Sequence, residues 1–514
     1  MEESKKMLKT AGFMAAATFL AKVCGLLRDS LIAAFFGTGT AADAYMTATK
    51  LPTTLFDIVI GGVISAAFIP VFNSVLEKKD KKEALLFANR FIGMVLLISG
   101  LISIFGMIFS DNLISFMAPD FDADAHALAM QLSTIMFPMI IFTGLAFSFV
   151  GILQSFGQFN IPAVMSLVSN LAVILYFVIF GKRFGVYGLS VTMLVAWSLQ
   201  VIIQIPSLVK FGYKFRPRLN FKDENIRRAM ALALPMLIST WVQPLYTIVN
   251  TRLASGIYKG VSSLEYANRL YLVVTGVFSF VVTNLMFPKM SRANVSGSED
   301  EAKDMLVLSL KLITVIILPV MAAFIVLAKP IIAIIYQHGG FSLEDTIRTG
   351  GALSCYAIGM IGMAYNEILS KSFFSMQNSK TPMINALLSM AANIIVAYTL
   401  SGTLGIAGLA LASACGSTVN ALLNYVCICR HYKSLLAGDD RADLIKILIS
   451  SVLMGVVMFG IYKIMTSRME LNIVTGIIIG AVCGICGLGV YAGGCAGMKI
   501  KFVKEILKGG GKNE

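Results

Sequence analysis

The feature that most constrains this chain is a series of long apolar segments. A helix needs about 20 mainly apolar residues to cross the hydrocarbon core of a bilayer. We count fourteen such segments, at 11–36, 45–74, 87–110, 128–155, 161–181, 186–209, 229–255, 265–288, 305–328, 346–375, 381–402, 405–428, 444–466 and 472–497. The alternating pattern of a membrane β-barrel is absent, so closed helices are expected to satisfy the backbone in lipid. The sequence therefore predicts an all-α integral membrane protein with about 14 transmembrane helices.

The positive charge of the chain is distributed unevenly between the two sides of the membrane. The chain has 514 residues and a net charge of +14. With the N-terminus placed in the cytoplasm, 30 of the 42 Lys and Arg residues fall on the cytoplasmic side, 7 on the other side and 5 inside helices. The positive-inside rule then predicts that both termini are cytoplasmic. The basic residues are expected to contact anionic lipid headgroups rather than nucleic acid, since no basic soluble domain is present.

Two further features concern the ends and loops of this topology. The first segment carries internal charges and lacks a small-residue cleavage site, so we expect it to be retained rather than removed as a signal peptide. The longest cytoplasmic insertion, 211–228, is expected to form an amphipathic piece at the membrane surface.

An internal repeat divides the chain. Gly185 follows Pro162 at the same spacing at which Gly405 follows Pro382, so one constant offset relates the two pairs. Each repeat would hold six helices, and an even number makes the repeats parallel, around a central cavity. We predict an N-terminal lobe at 1–210, a C-terminal lobe at 211–432, and helices 13–14 with a cytoplasmic tail at 433–514. In helix 14, Gly476, Gly480 and Gly484 are expected to form a close-packing face.

Charged residues interrupt the apolar segments at the start of each repeat. Lys22 lies 11 residues into the first segment, roughly 16 Å at 1.5 Å per residue, near the bilayer centre. A charge there costs about 3 kcal/mol, so it normally faces a cavity or a partner. The five interior cations are Lys22, Arg28, Lys50, Arg252 and Arg269. The acidic residues near them are Asp29, Asp43, Asp57 and Glu265.

These cations suggest a cavity for an anionic substrate, because arginine binds phosphate bidentately and is cheaper to desolvate than an ammonium group. The alternative is that the interior charges pair with each other and only set the register of the helices; it is weighed as equal for Lys22, Lys50 and Arg252, and substrate binding is favoured for Arg28 and Arg269. A pair between Arg28 and Asp29 is not expected, because adjacent residues of a helix point in different directions. Glu367 and Lys371 have the favourable i,i+4 order and are expected to form an ion pair.

Metal chemistry has no support in the sequence. All eight cysteines lie in apolar segments, where free cysteine packs as a small hydrophobe. The three histidines form no cluster, and no soluble domain could house an enzyme. We therefore expect a transporter with no cofactor, driven by a coupling cation or by the membrane potential, and the spacing does not identify ligands for such a cation.

One block of sequence resembles a known family. The stretch GLLRDSLIAAFFGTGTAADAYMTATKLP at 25–52, followed by SAAFIPVF at 65–72, is similar to the N-terminal signature of the MurJ/MviN family. These are lipid II flippases of the multidrug/oligosaccharidyl-lipid/polysaccharide exporter superfamily. The segments EYANRL at 265–270 and NSKTP at 378–382 fit the second half of that family, and the resemblance covers essentially the whole chain.

The resemblance implies a fold, a substrate and a set of site residues. It implies that the undecaprenyl-pyrophosphate-linked peptidoglycan precursor moves from the inner to the outer leaflet of a bacterial plasma membrane by alternating access, with helices 13 and 14 holding the lipid tail. The family's essential arginine maps onto Arg28, beside Asp29, and its helix-eight arginine onto Arg269. Its aspartate before helix two maps onto Asp43, and its earlier basic residue onto Lys22. Lys50 and Arg252 join these as candidates for binding substrate.

The sequence also departs from the family pattern. Other members carry an arginine at the position of Phe56, an acidic residue at that of Gly61 and a basic residue at that of Asp57. The helix-two side of the cavity is thus less cationic, which leaves open an exporter of another lipid-linked oligosaccharide. A cation-coupled multidrug antiporter of the same superfamily and a membrane-embedded enzyme or scaffold are the competing functions. The expected partners are lipid II or a similar undecaprenyl-pyrophosphate glycolipid and membrane lipids, without nucleic acid, and the expected state is a monomer.

Overall fold

The computed structural model describes residues 2–432, 435–436 and 438–500, and every regular element among them is helical. The basic tail predicted to be cytoplasmic lies beyond residue 500 for most of its length, outside the described residues. Contacts between residues divide the chain into two compact units, Met1–Ser262 and Ser263–Glu514. The first unit extends past the lobe boundary predicted at residue 210, so the seventh predicted segment makes its contacts within the first unit. The three domain ranges expected from the repeat stay predictions.

The first unit contains twelve helices, and α13 crosses its boundary. Two π-helical segments, Asp57–Gly61 and Ile64–Phe68, separate α2 from α3. The helices of the first unit are α1 Glu2–Phe36, α2 Thr40–Phe56, α3 Ile69–Lys78, α4 Lys81–Ile108, α5 Ser110–Met117, α6 Ala123–Met136, α7 Met139–Ser155, α8 Asn160–Phe180, α9 Gly185–Ile202, α10 Ile205–Lys210, α11 Glu224–Thr240 and α12 Val242–Ser255. Those that follow are α13 Gly260–Ser296, α14 Glu299–Tyr336, α15 Leu343–Ile358, α16 Met360–Ser375, α17 Lys380–Leu404, α18 Ile406–His431, α19 Gly438–Thr466 and α20 Ile473–Gly497.

The predicted class of an all-α membrane protein is confirmed. Within the described residues, 9 helices are long and apolar enough to cross a membrane, or up to 11 if two bent helix pairs each count as one span. The first, second and seventh predicted segments are helical but are not among these spans. They are the segments that carry most of the interior charges, and the total of fourteen crossings stays a prediction.

The backbone repeats its features at the offset that the sequence repeat predicts. Helix α8 begins at Asn160 and α17 at Lys380. Gly185 and Gly405 both have a positive φ, +53° and +58°, where a side chain would be strained. The turn before each helix also has a positive φ at matching positions, Gly157 at +75° and Gln377 at +58°. The two copies therefore share local backbone geometry as well as sequence.

Each unit contains one sharply bent helix pair at equivalent positions. The axes of α6 and α7 meet at 42°, and those of α15 and α16 at 44°. Pro138 lies at the first bend and Gly359 at the second. Proline and glycine are ordinary causes of such breaks, because one lacks an N–H and the other has little backbone preference.

The packing of α20 against α14 explains part of the predicted glycine face. On α20, Gly476 and Gly480 lie toward Ile334 of α14, so these two glycines allow close approach. Gly484 has open space where a side chain would point, and does not contribute. Helix α20 also packs on α19, where the thiol of Cys483 lies in a buried cluster with Met458.

The connection 211–223 forms no helix, and the placement of 211–228 at the membrane surface stays a prediction. It is held instead by Asn89 of α4, whose amide nitrogen donates to the Lys214 carbonyl at 3.0 Å. The Asn89 amide oxygen accepts from the Tyr213 hydroxyl at 3.0 Å and from the Arg216 backbone N–H at 2.8 Å. Burial raises the pKa of Tyr213 above its ordinary value, which already keeps the hydroxyl a neutral donor at physiological pH. An ion pair between Arg90 of α4 and Asp223 holds the end of the connection against α4.

Candidate substrate-binding site

Arg28 of α1 is the centre of a polar cluster between α1 and α8. Its Nε and one terminal nitrogen donate to Asp29 Oδ1 at 3.0 and 2.8 Å. The other terminal nitrogen donates to Asn170 Oδ1 at 3.0 Å, and the Asn170 amide nitrogen donates to the Ala21 carbonyl at 2.9 Å. The Asp29 side chain is 5% exposed, whereas 21% of the Arg28 side chain remains accessible. The guanidinium is therefore oriented on one edge and open on another.

This geometry corrects one expectation. The sequence predicts no pair between Arg28 and Asp29, but the Arg28 side chain is long enough to fold back along the helix to Asp29. The rule that adjacent helix residues do not face each other describes the directions of their Cα–Cβ bonds. It does not limit where the terminal atoms of a long, flexible arginine side chain can reach.

A second group of cations lies between α2, α5 and α12. Lys50 Nζ is 3.5 Å from the Thr251 hydroxyl, which is buried. The neighbouring Arg252 donates to the Phe116 carbonyl at 2.7 Å, and its guanidinium lies 5.7 Å from the centre of the Phe116 ring. A cation over an aromatic face is favourable, particularly where water is scarce. In these contacts, neutral groups orient both cations.

Asp43 is buried near the start of α2 and fixes the first turn of α13. Its Oδ1 accepts from the Ser262 backbone N–H at 2.7 Å and contacts the Ser262 hydroxyl. The Ser262 hydroxyl also lies 3.1 Å from the Thr38 carbonyl. Asp43 is 7% exposed, so this carboxylate holds backbone in place rather than presenting a free charge.

The second unit contains the last predicted site residue. Arg269 Nε donates to Glu265 Oε1 at 3.2 Å, one helical turn earlier on α13. The two side chains are 25% and 14% exposed. Pairing of the interior charges with each other is therefore realised for both Arg28 and Arg269, and each arginine keeps an accessible part.

Lys22 stands apart from these clusters. It is half-buried on α1, and it forms no ion pair or side-chain hydrogen bond with the described residues. The contacts thus bring together Arg28 with Asp29, and place Lys50 beside the turn that carries Arg252. They do not join Lys22 to the Arg28 cluster within the part of the chain that the structure describes.

Two other sequence expectations concern metals and the tenth predicted segment. Among the described residues, no group of three or more His, Cys, Asp or Glu could hold a metal ion. The expected ion pair between Glu367 and Lys371 is absent there too, although both line one pocket. Lys371 Nζ instead lies 6.0 Å from the centre of the Phe287 ring, where the ring face attracts a cation.

Sequence reasoning missed the neutral partners of the charged residues, Asn170, Thr251 and Ser262. The sequence does carry a signal for Asn170, which is a single amide inside an otherwise apolar segment. Because polar groups in lipid need a partner, such an amide is expected to bond to another helix. Thr251 and Ser262 carry no such signal, since hydroxyls are common in membrane helices and bond their own backbone.

A repeated helical membrane fold with broken helices, and with oriented cations inside segments predicted to cross the membrane, is typical of a transporter. The pattern of the family described as "Lipid II flippase MurJ" matches residues 32–479. The chain belongs to this family, which is a family of transporters and not of enzymes.

Individual relatives agree with the family. The chain is 30% identical over 429 residues to a "Probable lipid II flippase MurJ" of Rhizobium meliloti (strain 1021), covering 81% of this chain and 79% of that protein. The solved structure "Lipid II flippase MurJ, inward closed conformation" matches with a TM-score of 0.78 at 23% identity, covering 96% of this chain and 99% of that one. An inward-facing multidrug resistance MATE transporter of the MOP superfamily matches with a TM-score of 0.61 at 17% identity, over 82% and 94% of the two chains. These two structures share the fold with this chain.

Proposed function

We propose that this protein is a flippase that moves lipid II, the undecaprenyl-pyrophosphate-linked peptidoglycan precursor, from the inner to the outer leaflet of a bacterial plasma membrane. The observation that carries the proposal is the family match, which extends over residues 32–479. The oriented cations support it, because a pyrophosphate needs donors held in place at membrane depth.

The proposed roles of the site residues follow from their contacts. Arg28 is the main phosphate ligand, with Asp29 and Asn170 holding its guanidinium in one plane. Arg269 takes the same role in the second unit, held by Glu265. Lys50, Arg252 and Lys22 add positive charge for the headgroup, and Asp43 positions the backbone at the start of α13. Phosphate would compete with Asp29 for Arg28, so substrate binding would loosen that pair.

Several wider features belong to the same proposal. Both termini would be cytoplasmic, as the distribution of Lys and Arg favours. The protein would act as a monomer by alternating access, with the membrane potential or a cation gradient as the driving force. The two six-helix repeats would supply the moving lobes.

Depletion of the protein in its native host tests the proposal. The expected result is accumulation of lipid II in the inner leaflet and loss of lipid II accessible at the cell surface. Analysis of all lipid-linked intermediates in the same cells separates the competing substrates. If another lipid-linked glycan accumulated while lipid II exposure stayed unchanged, that glycan and not lipid II would be the substrate.

A further inference from the structure

A pocket of about 250 Å³ lies inside the first unit, beside the π-helical part of the second predicted segment. Its acidic member is Asp57, and Gln243 of α12 is the other long polar side chain of its lining. Gly61 and Gly62 present backbone to the pocket without side chains. The remaining described lining is apolar: Phe56, Ile64, Phe147 and Pro244.

The Asp57 carboxylate has no partner among the described residues, since no hydrogen bond or ion pair reaches it. It lies in an apolar helix and is accessible from the pocket. An ionised carboxylate at membrane depth is costly and normally marks an ion or proton pathway. Asp57 differs in this from Asp29 and Asp43, which are each bound to a donor.

The backbone around Asp57 is arranged to keep this carboxylate accessible. Asp57 begins the first π-helical segment, and such segments often occur at functional sites because they turn carbonyls out of the regular ladder. The Ile58 carbonyl accepts a hydrogen bond from the Trp241 indole at 2.9 Å, from outside its own helix. At Gly61, an added Cβ would lie 2.9 Å from Asp57 Oδ1, so the glycine leaves room for the carboxylate.

The charged residues on the elements around Asp57 are placed away from it. The helices packed against this π-helical segment are α2 and α11, and the second π-helical segment follows it. The charged residues of α11, Glu224, Arg227 and Arg228, lie near its start, more than two turns from the Trp241 end. Arg228 is held there by its bond to Ser74 of α3 at 3.3 Å. On α2, Lys50 lies about two turns before Asp57 and contacts Thr251. On α12, which supplies Gln243, the charged residue is Arg252, about two and a half turns after Gln243 and bonded to the Phe116 carbonyl.

We infer that Asp57, Gln243 and the backbone at Gly61 and Gly62 form a binding site for a small monovalent cation, Na⁺ or a proton. Carboxylate, amide and carbonyl oxygens are the donors that hard cations prefer. One carboxylate neutralises one positive charge, whereas a divalent ion would leave an excess charge in a medium of low dielectric. The site is independent of which lipid is transported.

The chain offers a direct optical test, because it has two tryptophans, Trp197 and Trp241. In the purified full-length Trp197→Phe protein, Trp241 alone reports from beside Asp57 through its bond to Ile58. One arm titrates NaCl against choline chloride at constant ionic strength and pH, and the other titrates pH without Na⁺. Each follows the emission of Trp241, and no lipid substrate is present, so the result does not depend on flippase activity.

We expect a saturable Na⁺-dependent change, a pH-dependent change, or both. Asp57→Asn in the Trp197→Phe background should abolish the change or weaken Na⁺ binding at least about tenfold, since a charged ligand is lost. Gln243→Leu keeps the carboxylate and should weaken Na⁺ binding while retaining the pH response. The control Asp124→Asn, at an exposed carboxylate of α6, should leave both responses intact.

The proposal would be overturned by emission that neither Na⁺ nor pH changes, or by responses that survive in Asp57→Asn. A response to pH alone assigns the site to the proton, and a response to Na⁺ that shifts with pH assigns it to competition between the two ions. Should Asp57→Asn fail to fold, Gln243→Leu decides the Na⁺ arm, and unchanged Na⁺ affinity in it would reject the ion site.

Discussion

At the scale of single residues, the interior arginines are held by the protein before any substrate arrives. Arg28 uses three nitrogens for Asp29 and Asn170, and Arg269 uses Nε for Glu265. Such contacts fix the plane of the guanidinium, which is what bidentate recognition of a phosphate requires. The planar guanidinium of arginine, and not only its positive charge, is therefore expected to matter for substrate binding.

Arg28→Lys tests this distinction, because lysine keeps the charge but cannot reach Asp29 and Asn170 in one plane. We expect the variant to expose lipid II at the cell surface at least about tenfold more slowly than the native protein, at equal expression. Arg183→Lys is the matched control, since Arg183 is exposed in the connection between α8 and α9, and it should leave exposure unchanged. If Arg28→Lys exposed lipid II at the native rate, the planar guanidinium would not be needed for flipping.

The duplicated turn gives a second prediction at this scale. Gln377 has φ +58°, a left-handed conformation that costs a side chain about 1 kcal/mol, whereas its counterpart Gly157 adopts φ +75° without cost. Gln377→Gly should therefore raise the thermal unfolding midpoint of the purified protein, and Gly157→Gln should lower it. Space is not a factor at Gly157, where nothing lies within 4 Å of an added Cβ. Shifts of the same sign in both variants would contradict the backbone explanation.

At the scale of elements, the breaks in helices carry more information than their regular parts. The second predicted segment passes from α2 through two π-helical segments to α3, and the seventh breaks at Trp241 between α11 and α12. These two breaks meet where the Trp241 indole donates to Ile58. The acceptor of this bond is a backbone carbonyl of a π-helical segment, and its donor is a side chain at the break in the seventh segment.

The connection 211–223 depends on a close approach to α4. An added Cβ at Gly93 would lie 2.5 Å from the Arg218 carbonyl, so Gly93→Ala must push this backbone away. We expect a loss of about 1–3 kcal/mol and a lower unfolding midpoint, because the Asn89 contacts would stretch as well.

Gly100→Ala on the same helix is the matched control for that experiment. Nothing lies within 4 Å of its added Cβ, so the gain in helix propensity should leave stability unchanged or slightly higher. A similar loss in both variants would indicate that α4 itself, and not the connection, is sensitive to alanine.

At the scale of the whole molecule, the distribution of charge predicts the orientation of the chain. All eight native cysteines are free, so they can be replaced before single cysteines are introduced. In intact cells, a membrane-impermeant maleimide should label Asp124→Cys and fail to label Asp80→Cys until the membrane is opened. The reverse pattern would place both termini outside and contradict the positive-inside assignment.

Much of this molecule could be predicted from sequence because its constraints are local or periodic. Long apolar segments identify membrane helices, and the register of Pro162 and Gly185 against Pro382 and Gly405 revealed a repeat that recurs in the backbone. The contacts of Arg28 could not be predicted, because Asn170 is brought to it by packing of α8 on α1. The reach of a long side chain and the π-helical break at Asp57 likewise depend on tertiary structure rather than on periodicity.

The two bent helix pairs have a consequence for the chemistry that a bend requires. The bends are nearly equal, 42° and 44°, yet one contains Pro138 and the other Gly359. Proline interrupts a helix because it lacks an N–H, and glycine permits a break because its backbone has little conformational preference. Two chemically different residues thus accompany bends of the same size. Neither residue type is therefore required for this angle, and the packing of each helix pair has to contribute to it.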